Sequence, residues 1–205
     1  MHTFSMKKLA IDVVLFPDAV MTNAVIEINQ ELLKSFDSKI ILHKEKCLPH
    51  ISLAMGVLEE KDIPTVGSIL REIAKEFKTL NLAVAAMNAD TISTGEKILG
   101  IEVERTEELQ RLHEMVMQKL KPYLSYDVEK EMLFNPPEIE EVTFRWIKKY
   151  SGKSSFENFS PHITVGIGET DTIQTPKTFT ASRIALCHLG NYCTCRKVFA
   201  EVTFQ

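Results

Sequence analysis

The sequence predicts an α+β fold, built as one domain of two similar lobes. Runs rich in β-branched and aliphatic residues alternate with segments whose apolar residues recur every three or four positions. The order strand, helix, strand pair, helix, strand pair occurs early, and a similar set recurs late. Long linkers and low-complexity tracts are absent from the sequence, so we expect a single domain over residues 1–205.

Short apolar runs bounded by turn-forming residues predict the strands. They span residues 8–16, 48–58, 80–87, 98–104, 161–167, 182–189 and 197–204. The run 91–97 (TISTGEK) supplies a turn between the third and fourth of these strands.

Capping residues and apolar stripes predict three helices in the first 120 residues. Asp18 is a candidate N-cap for a helix that extends to about Phe36. Asp62 and Pro64 open a second helix, since proline is favoured in the first helical turn. Thr106 can cap the third.

The pattern becomes irregular between residues 123 and 160. Inside this region, a stripe behind Pro136-Pro137 predicts a fourth helix. Its members are Ile139, Val142, Trp146 and Tyr150.

Composition limits the classes of function. Apolar residues make up 44% of the chain and charged residues 25%, which is typical of a soluble globular protein. No run of eighteen apolar residues and no secretory signal is present, so we expect no membrane span and a cytoplasmic location. In that compartment the four cysteines are expected to be reduced thiols.

The charge balance bears on nucleic acid partners. A net charge of −4 argues against binding to a long duplex, which calls for a basic surface. A nucleotide or a short RNA end needs only a few local donors and stays possible as a partner. Neither G-x-G-x-x-G nor G-x-x-x-x-G-K-[ST] occurs, so the sequence gives no support for nucleoside triphosphate use.

The most informative feature is an internal repeat of eight residues. Residues 49–56 (PHISLAMG) align without a gap to residues 161–168 (PHITVGIG). Proline, histidine, isoleucine and the last glycine are identical, and the other positions are close substitutions. A His-x-Ser/Thr triplet alone is expected by chance, so the specificity lies in the full frame.

Strand periodicity gives the repeat a physical meaning, because alternate side chains share one face. On one face each repeat then presents an imidazole, a hydroxyl and two very small residues. These positions are His50, Ser52, Ala54 and Gly56 in the first repeat, and His162, Thr164, Gly166 and Gly168 in the second. We expect hydrogen-bond donors at one end of that face and open space for a ligand beside the small residues. The alternative is that each histidine is structural, its ring nitrogens bonded to neighbours.

Other constellations are weaker. Cys187-His188 with Cys193-Thr194-Cys195 could bind zinc, but adjacent strand residues point to opposite faces, which favours thiols without a metal. His2, His43 and His113 lack the repeated frame and are expected at the surface.

Basic residues lie on or near the fourth helix and before the first repeat. They are Arg145, Lys148, Lys149, Lys153, Lys44 and Lys46. The helical group could contact an RNA backbone, with Tyr150 stacking on a base, or it could form a solvated basic face.

The two tetrads, His50-Ile51-Ser52-Leu53 and His162-Ile163-Thr164-Val165, resemble the signature of the two-histidine phosphoesterase superfamily. This group includes bacterial RNA 2′,5′-ligase-like proteins and 2′,3′-cyclic phosphodiesterases. Residues 8–18 and 185–204 look like the family's first strand and terminal hairpin, whereas 124–160 is longer than a compact member needs. The resemblance implies a bilobal pseudo-twofold fold, each lobe an antiparallel sheet with helices outside and a central cleft.

The resemblance also implies a phosphoesterase acting on a cyclic phosphodiester or a 2′,5′ linkage. We expect it to need no metal ion or other cofactor, because the two histidines would fill both proton-transfer roles, and we expect it to be a monomer. His50 and His162 would serve as general acid and base, since histidine is accessible in both protonation states near neutrality. Ser52 and Thr164 would donate to non-bridging phosphate oxygens. Two alternatives stay open: the reverse ligation of a 2′,3′-cyclic end to a 5′-hydroxyl, and a non-catalytic nucleotide or RNA-end binder.

Overall fold

A computed structural model describes residues 7–134, 139–170 and 175–205. Over these ranges the strands are β1 (Lys8–Pro17), β2 (Ile51–Glu59), β3 (Leu80–Thr91), β4 (Lys97–Val103), β5 (His162–Ile167), β6 (Thr178–Leu189) and β7 (Cys195–Thr203). The α helices are α1 (Ala19–Leu32), α2 (Ile63–Ala74), α3 (Glu107–Leu120) and α4 (Glu141–Lys153). The α+β class and all the predicted elements are confirmed. His2, Pro136 and Pro137 lie outside the described residues.

The strands form one antiparallel sheet in the order β1-β2-β5-β4-β3-β6-β7, and β6 also pairs with β1. Strands β2, β1, β6 and β7 make one half, and β3, β4 and β5 make the other. The halves meet where β3 pairs with β6 and where β2 touches β5 at a single pair, Ile51 with Ile163. The prediction that residues 1–205 are one domain stays a prediction.

Two of the helix starts follow the predicted capping chemistry. The Asp18 carboxylate accepts a hydrogen bond from the backbone N–H of Met21, and the Thr106 hydroxyl accepts one from Leu109. Asp62 forms no such side-chain cap, although Pro64 does lie in the first turn of α2. The first helix ends at Leu32 rather than near Phe36, because the chain tightens there into bonds from residue i to residue i+3. None of the helices in the described ranges is long and apolar enough to cross a membrane.

A β-bulge interrupts each of the two strands that carry the repeat. Ser52 and Ala54 pair with consecutive residues of β1, which leaves Leu53 as the extra residue of β2. Thr164 and Gly166 pair with consecutive residues of β4, which leaves Val165 as the extra residue of β5. The two bulges occupy equivalent positions, three residues after each histidine.

A buried polar side chain holds each bulge from behind. The Leu53 carbonyl lies 2.8 Å from Nδ1 of His113 on α3, and the Val165 carbonyl accepts a 2.8 Å bond from Nδ2 of Asn29 on α1. His113 accepts the Phe156 N–H at Nε2, so its Nδ1 carries the hydrogen and donates. The prediction of a surface His113 is wrong. Its ring is fully buried because it satisfies the bulged carbonyl.

The cysteines depart from expectation. Cys187 and Cys195 are paired as a disulfide across the β6–β7 hairpin, with their Cα atoms 5.6 Å apart. The prediction of reduced thiols, made from compartment alone, is therefore wrong for this pair, since neighbouring antiparallel strands bring the two side chains within bonding reach. Cys47 and Cys193 are free and buried.

Candidate active site

The two repeats converge at the bridge between Ile51 and Ile163. Antiparallel pairing at this point puts the residues that flank each isoleucine on the same face of the sheet. That face borders a cleft of about 390 Å³ between the halves. His50, Ser52, His162 and Thr164 all line it, so the structure brings the four predicted site residues together.

Both imidazoles are held in the same way. Nδ1 of His50 lies 2.7 Å from the Leu48 carbonyl, and Nδ1 of His162 lies 2.9 Å from the Ser160 carbonyl. In each case the carbonyl belongs to the residue two positions earlier. A carbonyl can only accept, so Nδ1 of each ring carries a hydrogen. The neutral ring then has its lone pair on Nε2, free for proton transfer.

The two rings differ in burial. The His50 side chain is 13% exposed, whereas His162 is exposed to solvent. The pKa of His50 is lowered to about 4, mainly by burial; the Leu48 carbonyl opposes this shift, and the charge of His162 adds to it. His50 is therefore neutral at physiological pH.

A buried carboxyl group lies beside His50. Asp12 on β1 is fully buried, and its Oδ2 atom is 3.9 Å from Nε2 of His50. Burial raises the pKa of Asp12 to about 7, and this effect is only partly offset by the Ser52 hydroxyl and the Ala54 N–H. Sequence reasoning missed this residue. The available signal was a single acidic residue inside the apolar run KLAIDVVLF.

The other half has an exposed acidic neighbour. Glu102 on β4 is the cross-strand partner of His162, and its Oε1 atom accepts a 2.8 Å hydrogen bond from the Asn88 side chain. Both histidines thus have a carboxyl group nearby, one buried and one open to solvent.

The predicted room beyond the hydroxyls does not come from the small residues of the repeats. The bulges break the two-residue alternation, so Met55 lines the cleft. Ala54 and Gly56 are buried, and a side chain at Gly56 would come within 3.0 Å of the Ser125 carbonyl. In the second repeat, Gly166 faces the Asn29 amide at 2.8 Å from where a Cβ atom would lie, and Gly168 packs against Phe36.

Gly100 on β4 provides open space instead. It is the strand partner of Thr164 and lines the cleft, and a Cβ atom there would meet nothing closer than a carbonyl at 3.9 Å. Adding a larger side chain at this position would fill the space in front of Thr164.

An apolar and aromatic compartment lies beyond Gly100. Along β4, the side chains that face the cleft run from Glu102 through Gly100 to Ile98, away from His162. Trp146 and Tyr192 lie at that end, with ring centroids 6.3 Å apart. The Tyr192 hydroxyl donates a hydrogen bond to Glu96, beside the β3–β4 turn. Ile40, Leu42, Ile92 and Asp90 also line the cleft, and so does Asn88, the strand partner of Gly100.

The predicted basic and metal-binding groups are dispersed. Lys153 borders the cleft, whereas Arg145, Lys148, Lys149, Lys44 and Lys46 are exposed and are not among its described lining residues. Tyr150 borders the cleft but is only 5% exposed, so Trp146 is the more accessible of the two α4 rings that line it.

The predicted zinc candidates Cys187, His188, Cys193 and Cys195 do not form a metal-binding cluster. His188 bonds the Met132 carbonyl through Nε2 at 2.9 Å, while Cys187 is disulfide-bonded. In the part of the chain that the structure describes, no three His, Cys, Asp or Glu side chains are arranged to hold a metal ion. His43 is exposed, as predicted.

Comparison with known proteins decides the family. The family model for the 2′-5′ RNA ligase superfamily matches residues 33–188, most of the chain and both tetrads. The chain belongs to this superfamily. No curated protein sequence matches it significantly.

Solved structures agree with this assignment at the level of the fold. The chain is 12% identical to LigT of E. coli in its apo form, covering 97% of this chain and 99% of that one, with a TM-score of 0.51. The LigT complex with ATP gives 13% identity, the same coverage and a TM-score of 0.53. The protein TT0787 of Thermus thermophilus gives 14% identity, 96% and 98% coverage and a TM-score of 0.56. Family and fold together support a phosphoesterase or RNA ligase-like enzyme.

Proposed function

We propose that this protein hydrolyses a cyclic phosphodiester, such as a 2′,3′-cyclic nucleotide or RNA end, with His50 and His162 as its acid–base pair. The observation that supports the proposal is the arrangement of the two rings. Each is anchored through Nδ1 to a carbonyl two residues earlier, each is followed by a hydroxyl on the same strand, and both line one cleft. A 2′,5′ linkage would suit the same arrangement.

The difference in burial supports a division of roles between the two rings. His50, neutral at physiological pH, takes a proton from water through Nε2 as the water attacks phosphorus. The bond from phosphorus to one ribose oxygen breaks, and His162 gives its Nε2 proton to that oxygen. Because His162 is exposed, it can regain a proton from solvent after each turnover.

In this proposal the hydroxyls of Ser52 and Thr164, which both line the cleft, donate to the non-bridging phosphate oxygens of the bound substrate. Charge on these oxygens redistributes in the transition state, so donors already fixed on strands would stabilise it. Both proton-transfer roles are filled by histidine, which is why the proposal needs no metal ion or other cofactor.

The compartment beyond Gly100 suits a nucleoside. Aromatic and aliphatic side chains there can cover the face of a base, and Asn88 and Asp90 offer polar atoms to its edge. LigT of E. coli, which shares the fold, has been crystallised with ATP. Among the described lining residues, the acidic Asp90 and Glu102 outnumber Lys153, which favours a mononucleotide or a short end over a long RNA strand.

Ligation is the second candidate, and the name of the superfamily favours it. The same two imidazoles would run the reaction backwards, joining a 2′,3′-cyclic end to a 5′-hydroxyl. The acidic side chains of Asp90 and Glu102 in the cleft disfavour binding of the longer RNA that ligation requires.

A substrate panel tests the proposal. Wild type, His50→Ala and His162→Ala are each incubated with the four 2′,3′-cyclic mononucleotides, a 2′,5′-linked dinucleotide and a cyclic-ended RNA with a 5′-hydroxyl acceptor. We expect wild type to open the cyclic mononucleotides and both variants to lose turnover. Joined RNA without hydrolysis would favour ligation, and binding without any turnover would favour a binder.

A further inference from the structure

Asp12 is the most unusual buried group in the structure. It lies on β1, a strand whose residues from Leu9 to Pro17 are all buried and otherwise uncharged. Its two carboxyl oxygens have no hydrogen-bond partner at full bonding geometry among the described residues. Burying a carboxyl group without partners destabilises a protein strongly. An apolar residue at this position would avoid that penalty, so the position calls for a functional explanation.

Among the described residues that the structure records around Asp12, one group can become a cation. Ser52 and the Ala54 N–H approach from β2, Tyr150 from α4 and Cys193 from the turn before β7. Burial raises the pKa values of Tyr150 and Cys193, so both stay neutral near pH 7. On β6 the strand partner of Asp12 is Cys187, which is disulfide-bonded and does not titrate. That leaves His50, whose Nε2 atom is 3.9 Å from Oδ2 of Asp12.

We propose that Asp12 is a positioning residue that controls the charge state of His50. As a carboxylate, it stabilises the imidazolium that His50 becomes when it accepts a proton from the attacking water. This role rests on the proposed function, in which His50 is the base. Asp12 itself neither contacts the phosphate nor exchanges a proton with the substrate.

The geometry explains why only this half of the site needs such a partner. The imidazolium of His162 can be stabilised by water, because the ring is exposed. The imidazolium of His50 has little contact with water, since 13% of the side chain is accessible. A nearby buried negative charge replaces the missing solvation.

The proposal predicts a specific dependence on pH. Below pH about 7, Asp12 holds a proton and offers no negative charge to His50. As pH rises through this value, the carboxylate forms and proton acceptance by His50 becomes easier. The acid limb of kcat/KM in wild type should therefore lie near pH 7. In Asp12→Asn, which has no titrating carboxyl group at this position, it should move to lower pH, towards the pKa of His50, about 4.

The test combines kinetics with NMR. We expect Asp12→Asn to lower kcat about 10²-fold, a typical contribution of one proton-transfer element, with little change in KM. The His50 ring signal of wild type should show an inflection near pH 7 that disappears in Asp12→Asn. The same chemical change at an exposed position outside the cleft, Asp127→Asn, should leave both the inflection and the pH–rate profile unchanged.

The outcomes separate this proposal from the proposed function. An unchanged acid limb in a folded Asp12→Asn, or no inflection near pH 7 in the wild-type His50 signal, overturns the role of Asp12. The second measurement needs no variant, so it decides the matter even where Asp12→Asn does not fold. If wild type turns over none of the substrates, the proposed function fails, while the NMR titration still reports on the pairing of Asp12 with His50.

Discussion

The two halves of the cleft have the same backbone plan and different electrostatics. Each contributes a histidine anchored through Nδ1, a hydroxyl two residues later and a bulge after it. Yet His50 is nearly buried beside a buried acid, whereas His162 is exposed beside an exposed one. The comparison teaches that a repeated frame fixes where two side chains point, and that the packing around each one fixes its chemistry.

The largest effect on kcat should come from replacing the two histidines, singly or together. His50→Ala and His162→Ala are each expected to lower kcat by about 10²- to 10⁴-fold, the usual share of a general acid or base. If the halves act as one unit, the double variant should be little slower than the slower single variant. Multiplicative losses, measured by single-turnover kinetics, would mean that the two rings act independently.

The hydroxyls should give a smaller effect. Ser52→Ala and Thr164→Val each remove a donor that the proposal directs at a non-bridging oxygen, so we expect kcat to fall about 10²-fold with little change in KM. A loss confined to KM would place the hydroxyls in ground-state binding instead. Exposed Thr65→Val on α2 provides a control for the loss of a hydroxyl.

Replacing Asn29 or His113, whose side chains bond the carbonyls of the bulged residues, should affect the stability of the fold more than catalysis. Asn29→Leu leaves three backbone groups without their partner, the carbonyls of Ile40 and Val165 and the N–H of Leu42. Each buried group left unsatisfied costs about 1–3 kcal/mol, and about 2–4 °C in Tm follows from each kcal/mol in a chain of this size. His113→Leu, which leaves two groups without partners, should lower Tm less.

Differential scanning calorimetry measures both changes, with exposed Gln30→Leu as the control on α1. A larger drop in Tm for His113→Leu than for Asn29→Leu would contradict the hydrogen-bond account and shift weight to the stacking of His113 on Phe159.

The pH dependence of stability should show the asymmetry between the halves. Because the folded pKa of His50, about 4, lies below its usual value near 6.5, His50 destabilises the fold as pH falls from 6.5 through 4. Asp12 acts in the opposite direction, since its folded pKa, about 7, lies above 3.8, and it destabilises the fold as pH rises between those values. We expect His50→Gln to flatten the acid side of the Tm curve and Asp12→Asn to flatten the neutral side. Curves parallel to that of wild type would contradict both shifts.

The smallest effect should come from chelation. With both proton-transfer roles filled by histidine, EDTA is expected to leave kcat/KM unchanged within error. Activity abolished by the chelator and restored by a divalent ion would count against the proposed mechanism.

Much of the fold and the four residues that meet in the cleft could be predicted from the sequence. Strand and helix periods are strong local signals, and the octapeptide repeat predicts that two distant strands are equivalent. The positions of Asp18 and Thr106 as caps followed from their side-chain chemistry alone.

The sequence could not reveal the features that depend on contacts between distant residues. One extra residue in each of β2 and β5 turns the following small residues away from the cleft. The position of that bulge is visible only from the pairing with the neighbouring strand. The same holds for His113, which reaches the Leu53 carbonyl 60 positions away, and for the charge environment of Asp12 and His50.

NMR observation of the imidazoles during titration with a nucleoside 3′-monophosphate, the product of cyclic phosphate opening, tests most directly whether both rings serve one phosphate. The ring signals of His50 and His162 should shift together with a single Kd, while those of exposed His43 and buried His113 stay in place. Shifts in only one of the two rings, or in neither while the nucleotide binds, would contradict a shared site.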